Sequence, residues 1–233
     1  MHTFFASKRS KTGFFITDEE LKHLRVRHIK RGEKIGVLWE EGLYLCELES
    51  CSDKEAVCKV IERLKCEKPP VSLTLFQAIT VELKTFEDII RKSTELGVSE
   101  VVPLITERSF RKTEIVAKKR ERWEKIIREA MKQARRPFFL KLEEAKRIEE
   151  IEPLSDINLF LDSFSGDKTM SDISFRGIKS VSLVVGPEGG FSKREGYLLR
   201  EKGFTAVKLC PYVMRSETAS AVAVGIVMNL ACP

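Results

Sequence analysis

Residues 181–195, VSLVVGPEGGFSKRE, set the architecture expected for the whole chain. The apolar run 181–185 stops at Gly186-Pro187-Glu188-Gly189-Gly190. Ser192 and Glu195 then stand three apart, the spacing of a capping box that opens a helix. The order is strand, tight loop, helix. A short continuous apolar strand belongs in a sheet covered on both faces. Glycines and a proline at its C-terminal end let the backbone turn sharply and leave a ligand room against the main chain. In open α/β sheets ligands bind at that end. The loop lacks the Gly-Lys-Ser/Thr ending of a P-loop and the G-x-G-x-x-G spacing of a dinucleotide site, so its local pattern suits a structural turn as well as a ligand loop. A second dense stretch, LCPYVMRSETASAVA at 209–223, follows a short strand at 206–209 and runs into a helix of small apolar residues.

Upstream, strand and helix alternate from residue 71 onward. Strands are expected at 71–78, 101–105 and 158–161, the last ending at Asp162-Ser163 and a polar loop. In the helix at 86–96, Phe86, Ile89, Ile90 and Leu96 share a helical spacing, and Gly97 suits its end. The helix at 117–135 sets Trp123, Ile126, Ile127, Ala130 and Ala134 on one face until Pro137 stops it. Gly203 caps the helix that begins after Ser192. Residues 217–230 are nearly free of charge, so that helix is expected between its own sheet and another subunit.

Residues 1–68 read as a small β-rich unit, with strands at 3–6, 14–17, 34–39, 43–50 and 56–64 and a turn at Glu40-Glu41-Gly42. A short helix at 18–28 has Thr17 or Asp18 as its cap and Gly32 after its end. Several short strands at this spacing suggest a small barrel. KCEKPP at 65–70 reads as a linker, because consecutive prolines favour an extended chain.

The net charge of +6 is unevenly placed. Residues 1–34 carry nine Lys/Arg against four Asp/Glu, and residues 111–141 carry twelve against four, which points to a polyanion such as nucleic acid. A solvated charged face is the plainer explanation. The six cysteines form no C-x-x-C pair and none of the three histidines stands beside them at a zinc-ligand spacing, so no metal site is expected. Cys46 and Cys58 fall in strands, as core thiols do. His23 and His28 flank a basic segment. No apolar run reaches transmembrane length and MHTFFASKRSK has no signal-peptide core, so no membrane partner and a cytoplasmic setting are expected.

VGPEGGFS followed by L-x-x-x-V-M-R-x-E-T-A resembles the RsmE family of 16S ribosomal RNA methyltransferases. Further matches are HLRVRHIKRGEKI, RKSTELGVSEVVPLITERS at 91–109, and E-A-M-K-Q-A-R-R, which places Gln133 and Arg136 in matching positions. The resemblance implies an α/β fold: a C-terminal SPOUT trefoil-knot domain at 71–233 and an N-terminal PUA-like β-barrel domain at 1–68 that holds RNA. It further implies S-adenosylmethionine as cofactor, N3 of a uridine in 16S ribosomal RNA of the small subunit as acceptor, and a homodimer with sites at its interface. The implied cofactor-binding set is Leu161, Gly186, Pro187, Glu188, Gly189, Gly190, Leu209, Cys210, Val213, Met214, Thr218 and Ala219. RNA-backbone roles fall to Arg25, Arg27, Lys30, Arg31, Arg108 and Arg136. The sequence departs from the family pattern at Glu82, Cys210 and Tyr212.

A uridine ring nitrogen must lose its imide proton before or during attack. A carboxylate within reach accepts it, or a cation stabilises the anion on the flanking oxygens. In M-R-S-E-T-A the candidate catalytic residues are Arg215 and Glu217, with Glu188 next; a helix-start ion pair is the structural alternative for the first two. S-adenosylmethionine carries its own leaving group, so the reaction demands no metal. Methylation of a ribose 2′-hydroxyl and a non-catalytic RNA-binding assembly factor are the competing readings.

Overall fold

The computed structural model describes residues 1–163 and 168–232. The polar loop expected after Asp162-Ser163 falls on residues 164–167, which lie outside the described residues. The chain divides into two compact units: Met1–Lys68 with Arg128–Phe139, and Pro69–Ile127 with Leu140–Pro233.

In the first unit β1 (Thr3–Phe5), β2 (Lys8–Arg9), β3 (Gly13–Ile16), α1 (Asp18–Val26), β4 (Lys34–Trp39), β5 (Gly42–Cys51) and β6 (Ala56–Leu64) follow in order. The strands form one sheet, β1-β4-β5-β6-β3-β2, antiparallel except for the β1–β4 pair. Phe14, Ile16, Leu24, Ile35, Val37, Leu48, Cys46 and Cys58 make its core. Burial pushes both thiols up to about 12, so they pack as apolar groups and stay protonated.

Thr17 is the N-cap of α1, one of the two positions expected, but its hydroxyl lies against Ser7 Oγ (2.8 Å) and Asp18 Oδ2 (2.6 Å) and makes no cap bond. The helix ends at Val26, two residues short of the expected end, and His28 takes the left-handed conformation (φ 54°). Gly32 lies beyond, its N–H bonded to the Leu48 carbonyl.

Next come β7 (Ser72–Ala78), α2 (Leu83–Glu95), β8 (Glu100–Ile105), α3 (Thr113–Ala134), β9 (Lys141–Leu142), β10 (Lys146–Arg147), β11 (Ile157–Leu161), β12 (Lys168–Thr169), β13 (Ser180–Val185), α4 (Lys193–Glu201), β14 (Thr205–Lys208) and α5 (Ser216–Leu230). The second unit is built on a parallel sheet, β10-β8-β7-β13-β11-β14-β12, with β9 paired to β8. Every residue of β13 after Ser180 is buried, as a strand covered on both faces requires. Gly97 (φ 92°) ends α2 in a Schellman motif: its N–H bonds the Thr94 carbonyl and that of Val98 bonds Ser93.

Helix α3 begins a turn before the expected start, and its residues from Arg128 onward belong with the first unit. Trp123, Ile127 and Ala130 are buried as read, but Ala134 is exposed and Met131 takes the buried position. Arg135 (φ 54°) ends the helix ahead of Pro137. The Trp123 ring packs on Phe86 at 4.8 Å. Beside it, the Arg122 guanidinium grips the buried Glu87 carboxylate at 2.6 and 2.8 Å and lowers its pKa below the usual value. A depressed carboxylate stabilises the fold above its unfolded pKa and loses that contribution as pH falls through the folded one. The stability gap between the protein and its Glu87→Gln variant, followed by thermal unfolding, is therefore expected to be full at neutral pH and to shrink as pH drops below about 4. A gap that is the same at pH 7 and pH 3 would rule this out. Among the described residues no helix is long and apolar enough to cross a membrane.

Candidate functional site

Strands β7, β13, β11 and β14 lie side by side and parallel, so the loops that follow them share one edge of the sheet. The chain runs β7, β8 on one side, then β11 on the other, before β13 enters between β7 and β11. Such reversals of strand order leave a crevice at the C-terminal ends. Leu161, residues 186–190 and residues 209–214 all emerge there.

The loop after β13 is tightly built. The Gly190 N–H bonds the Pro187 carbonyl at 2.9 Å, and Gly190 takes φ 65°, where a side chain is strained. Gly186 is tight: a Cβ would stand 3.3 Å from the Phe191 ring and 3.4 Å from Gly190 Cα, so the ring would have to give by a few tenths of an ångström. Three neighbours then hold the loop from outside. The Val81 N–H donates to both Glu188 carboxylate oxygens at 3.1 and 3.2 Å. Arg108 donates to the Gly189 carbonyl at 2.7 Å. The Ser216 hydroxyl donates to the Gly186 carbonyl at 2.7 Å. Arg108 and Glu188, expected at RNA and at cofactor, are thus braces of the loop in this structure.

The capping box of α4 forms as read: Ser192 Oγ accepts from the Glu195 N–H (3.2 Å) and Glu195 Oε2 from the Ser192 N–H (2.8 Å). Its second oxygen does something the sequence did not announce. Glu195 Oε1 accepts from the Glu107 N–H at 2.8 Å, tying the loop that carries Arg108 to the start of α4.

Downstream, Leu209 and Met214 are half-buried, while Cys210, Tyr212 and Val213 are exposed, the last two by 79% and 68%. Apolar side chains left open beside main-chain polar groups suit a ligand with a flat apolar ring and a polar edge. Arg215 is the N-cap of α5 but makes no side-chain cap bond, and Glu217 stands in the first turn with Thr218 and Ala219. Arg215 and Glu217 form no ion pair with each other among the described residues, so the helix-start pair is not what occupies them.

Sequence reading missed Gln77, Ser216 and Ser220, which join β7, the Gly186 loop and α5 through buried hydrogen bonds. The only signal was a glutamine inside the otherwise apolar end of SLTLFQA.

The remaining expected RNA residues lie in the first unit. Arg27, Lys30 and Arg31 are exposed. Arg25 is paired with Asp53 at 2.8 Å. Arg136 departs from expectation. It is 9% exposed, its Nε donates to the Phe138 carbonyl at 2.6 Å, and desolvation lowers its pKa to about 10. Its guanidinium works inside the unit, not on the surface. Glu20, His23 and Glu129 gather nearby, but the Lys132 ammonium sits among them, 2.8 Å from Glu20 and 2.7 Å from Glu129.

The family model for the RNA methyltransferase domain matches residues 67–228. The ribosomal RNA small subunit methyltransferase E of Aquifex aeolicus is 44% identical over 229 residues, covering 98% of this chain and 100% of that one. The chain belongs to the ribosomal RNA small subunit methyltransferase E family. A crystal structure of the Neisseria gonorrhoeae methyltransferase E, bound to S-adenosyl methionine, superposes with a TM-score of 0.87 at 25% identity, covering 99% of this chain and 98% of that one. A Legionella pneumophila structure in complex with its bound cofactor SAM gives 0.86 at 28% identity, covering 97% and 96%. Membership of the methyltransferase E family covers both units, since these alignments run nearly end to end.

Proposed function

We propose that this protein transfers the methyl group of S-adenosylmethionine to N3 of a uridine in 16S ribosomal RNA. The observation that carries the reading is the braced loop at 186–190, at the C-terminal edge of the parallel sheet beside an α5 that opens with Arg215 and Glu217. When bound, the cofactor supplies an electrophilic methyl on a sulfonium whose leaving group is a neutral thioether. The main chain of Gly186, Pro187, Gly189 and Gly190 and the walls of Leu161, Leu209, Cys210, Val213 and Met214 would hold it, with Thr218 and Ala219 closing the side toward α5. Glu188 keeps the loop in shape from Val81.

Glu217 accepts the imide proton of the uracil. Arg215 faces the carbonyl oxygens on which negative charge collects, and the positive end of α5 adds to the same field. The partly exposed apolar side chains of α5, among them Val222 and Ile226, are the surface for a second subunit in a homodimer. In this reading the second unit is the trefoil-knotted SPOUT domain and the first is a PUA-like barrel. The exposed Arg27, Lys30 and Arg31, with Arg25, grip RNA phosphates, which sets affinity and register more than sequence choice. Ribosomal RNA in the cytoplasm is the partner.

The test is to incubate the protein with labelled S-adenosylmethionine and small ribosomal subunits lacking their native methylation, digest the RNA and identify the labelled nucleoside by mass spectrometry. Label in 3-methyluridine is expected. Label in a 2′-O-methyl nucleoside would overturn the ring-nitrogen assignment, and no cofactor binding at all would favour an RNA-binding assembly factor.

A further inference from the structure

Gln77 is fully buried on β7, where the other buried residues, Leu73, Leu75, Phe76 and Ala78, are apolar. Its Nε2 donates to the Ala78 carbonyl at 3.0 Å and to Ser216 Oγ at 3.1 Å, and its Oε1 accepts from the Ser220 hydroxyl. Ser216 passes the polarity on to the Gly186 carbonyl at 2.7 Å. The direction is fixed. A carbonyl only accepts, so the amide nitrogen must face Ala78, and every hydrogen in the chain then has one place to go. Such chains polarise one another in a low-dielectric interior. Apolar side chains would fill the same volume but would leave the Ala78 and Gly186 carbonyls without these donors.

We propose that Gln77 is a positioning residue for methyl transfer: through Ser216 and Ser220 it holds the first turn of α5, with Arg215 and Glu217, in register with the Gly186 loop. This rests on the methyltransferase reading above. The buried apolar anchors of α5, Ala223, Val224 and Val227, lie two turns further on and carry no directional bond. They hold the helix to the unit without fixing the rotation or the axial position of its first turn. Gln77 joins sheet, loop and helix through one planar amide. Displacements of about 1 Å at reacting groups cost on the order of 10²-fold in rate, so a modest slip would be felt.

The test compares the intact protein with the triple variant Gln77→Met, Ser216→Ala, Ser220→Ala and with Ser220→Ala alone. The triple variant removes the side-chain polar groups together. It is expected to unfold cooperatively and, at saturating S-adenosylmethionine, to lose at least about tenfold in kcat with KM for RNA unchanged; any fall in cofactor affinity from losing the Ser216 brace on Gly186 is read separately by calorimetry. A kcat within about threefold of the parent would overturn the proposal and leave the network a packing feature. Should the triple variant fail to fold, Ser220→Ala decides, because alanine is a better helix former and only one donor is lost. A clear fall in its kcat at unchanged cofactor affinity is expected, and no fall would overturn the proposal. An intact protein that transfers no methyl group would instead bring down the methyltransferase reading itself, before any variant is compared.

Discussion

Replacing Arg215 with alanine is expected to lower the turnover of methyl transfer by about 10²–10³-fold, the usual consequence of removing one preorganised group aimed at developing charge. Cofactor affinity, measured by calorimetry, should stay within about threefold, because the groups proposed to hold the cofactor are main chain and apolar walls. The argument rests on where the side chain stands. Arg215 is exposed at the head of α5, with no side-chain cap bond and no pairing to Glu217. The variant should therefore unfold with the parent's midpoint. Arg215→Lys should recover only part of the loss, since a compact ammonium does not reproduce the planar, delocalised guanidinium's hydrogen-bond geometry. The defect should also narrow as pH rises, because the imide then ionises without help. Turnover within about twofold of the parent in Arg215→Ala would remove this residue from the mechanism.

What could be read ahead of the structure, and what could not, divides along the range of the interactions involved. The Ser192–Glu195 capping box and the glycines at 97 and 203 depend on residues within a turn of one another, and each takes its expected place. The strand 181–185 could be read because burial on both faces leaves no polar alternation. The end of α1 could not. His28 adopts a conformation that glycine marks openly and histidine does not. Arg136 carries a charge that composition assigns to the surface, whereas its burial is settled by how the residues after α3 pack. Gln77 meets Ser216 and Ser220 across 139 and 143 residues of chain, and no local pattern encodes such a meeting. The same holds for the braces from Val81 and Arg108, which reach the loop at 186–190 from 107 and 81 residues away. The glycine-rich loop thus shows itself in sequence, but the hydrogen bonds that brace it from outside do not.

Glu195 ties the loop after β8 to the start of α4, and its loss is expected to have the largest effect on stability. The residue is 3% exposed, and its two oxygens serve two different main-chain donors: the Ser192 N–H at the start of α4 and the Glu107 N–H in the loop after β8, each at 2.8 Å. Alanine would leave both donors without their carboxylate, one a lost cap and the other a part-buried N–H. Together these cost about 2–4 kcal/mol. The effect should not stop at stability. Arg108 follows Glu107 directly and braces the Gly189 carbonyl, so a freed loop loosens the grip on residues 186–190 and weakens cofactor binding in parallel. Glu195→Gln offers the test of cause. One amide oxygen remains to accept, while the NH2 group is turned against whichever N–H stays, so only one of the two links survives. Urea unfolding should place the parent highest, the Glu195→Gln variant next and the alanine variant lowest, and calorimetry with S-adenosylmethionine should follow the same order. If Glu195→Ala unfolds within about 0.5 kcal/mol of the parent, the carboxylate is not holding these two elements together. If stability falls while cofactor affinity holds, the Glu107 link is a matter of folding alone, and the loop at 186–190 keeps its shape through Val81 and Ser216 without it.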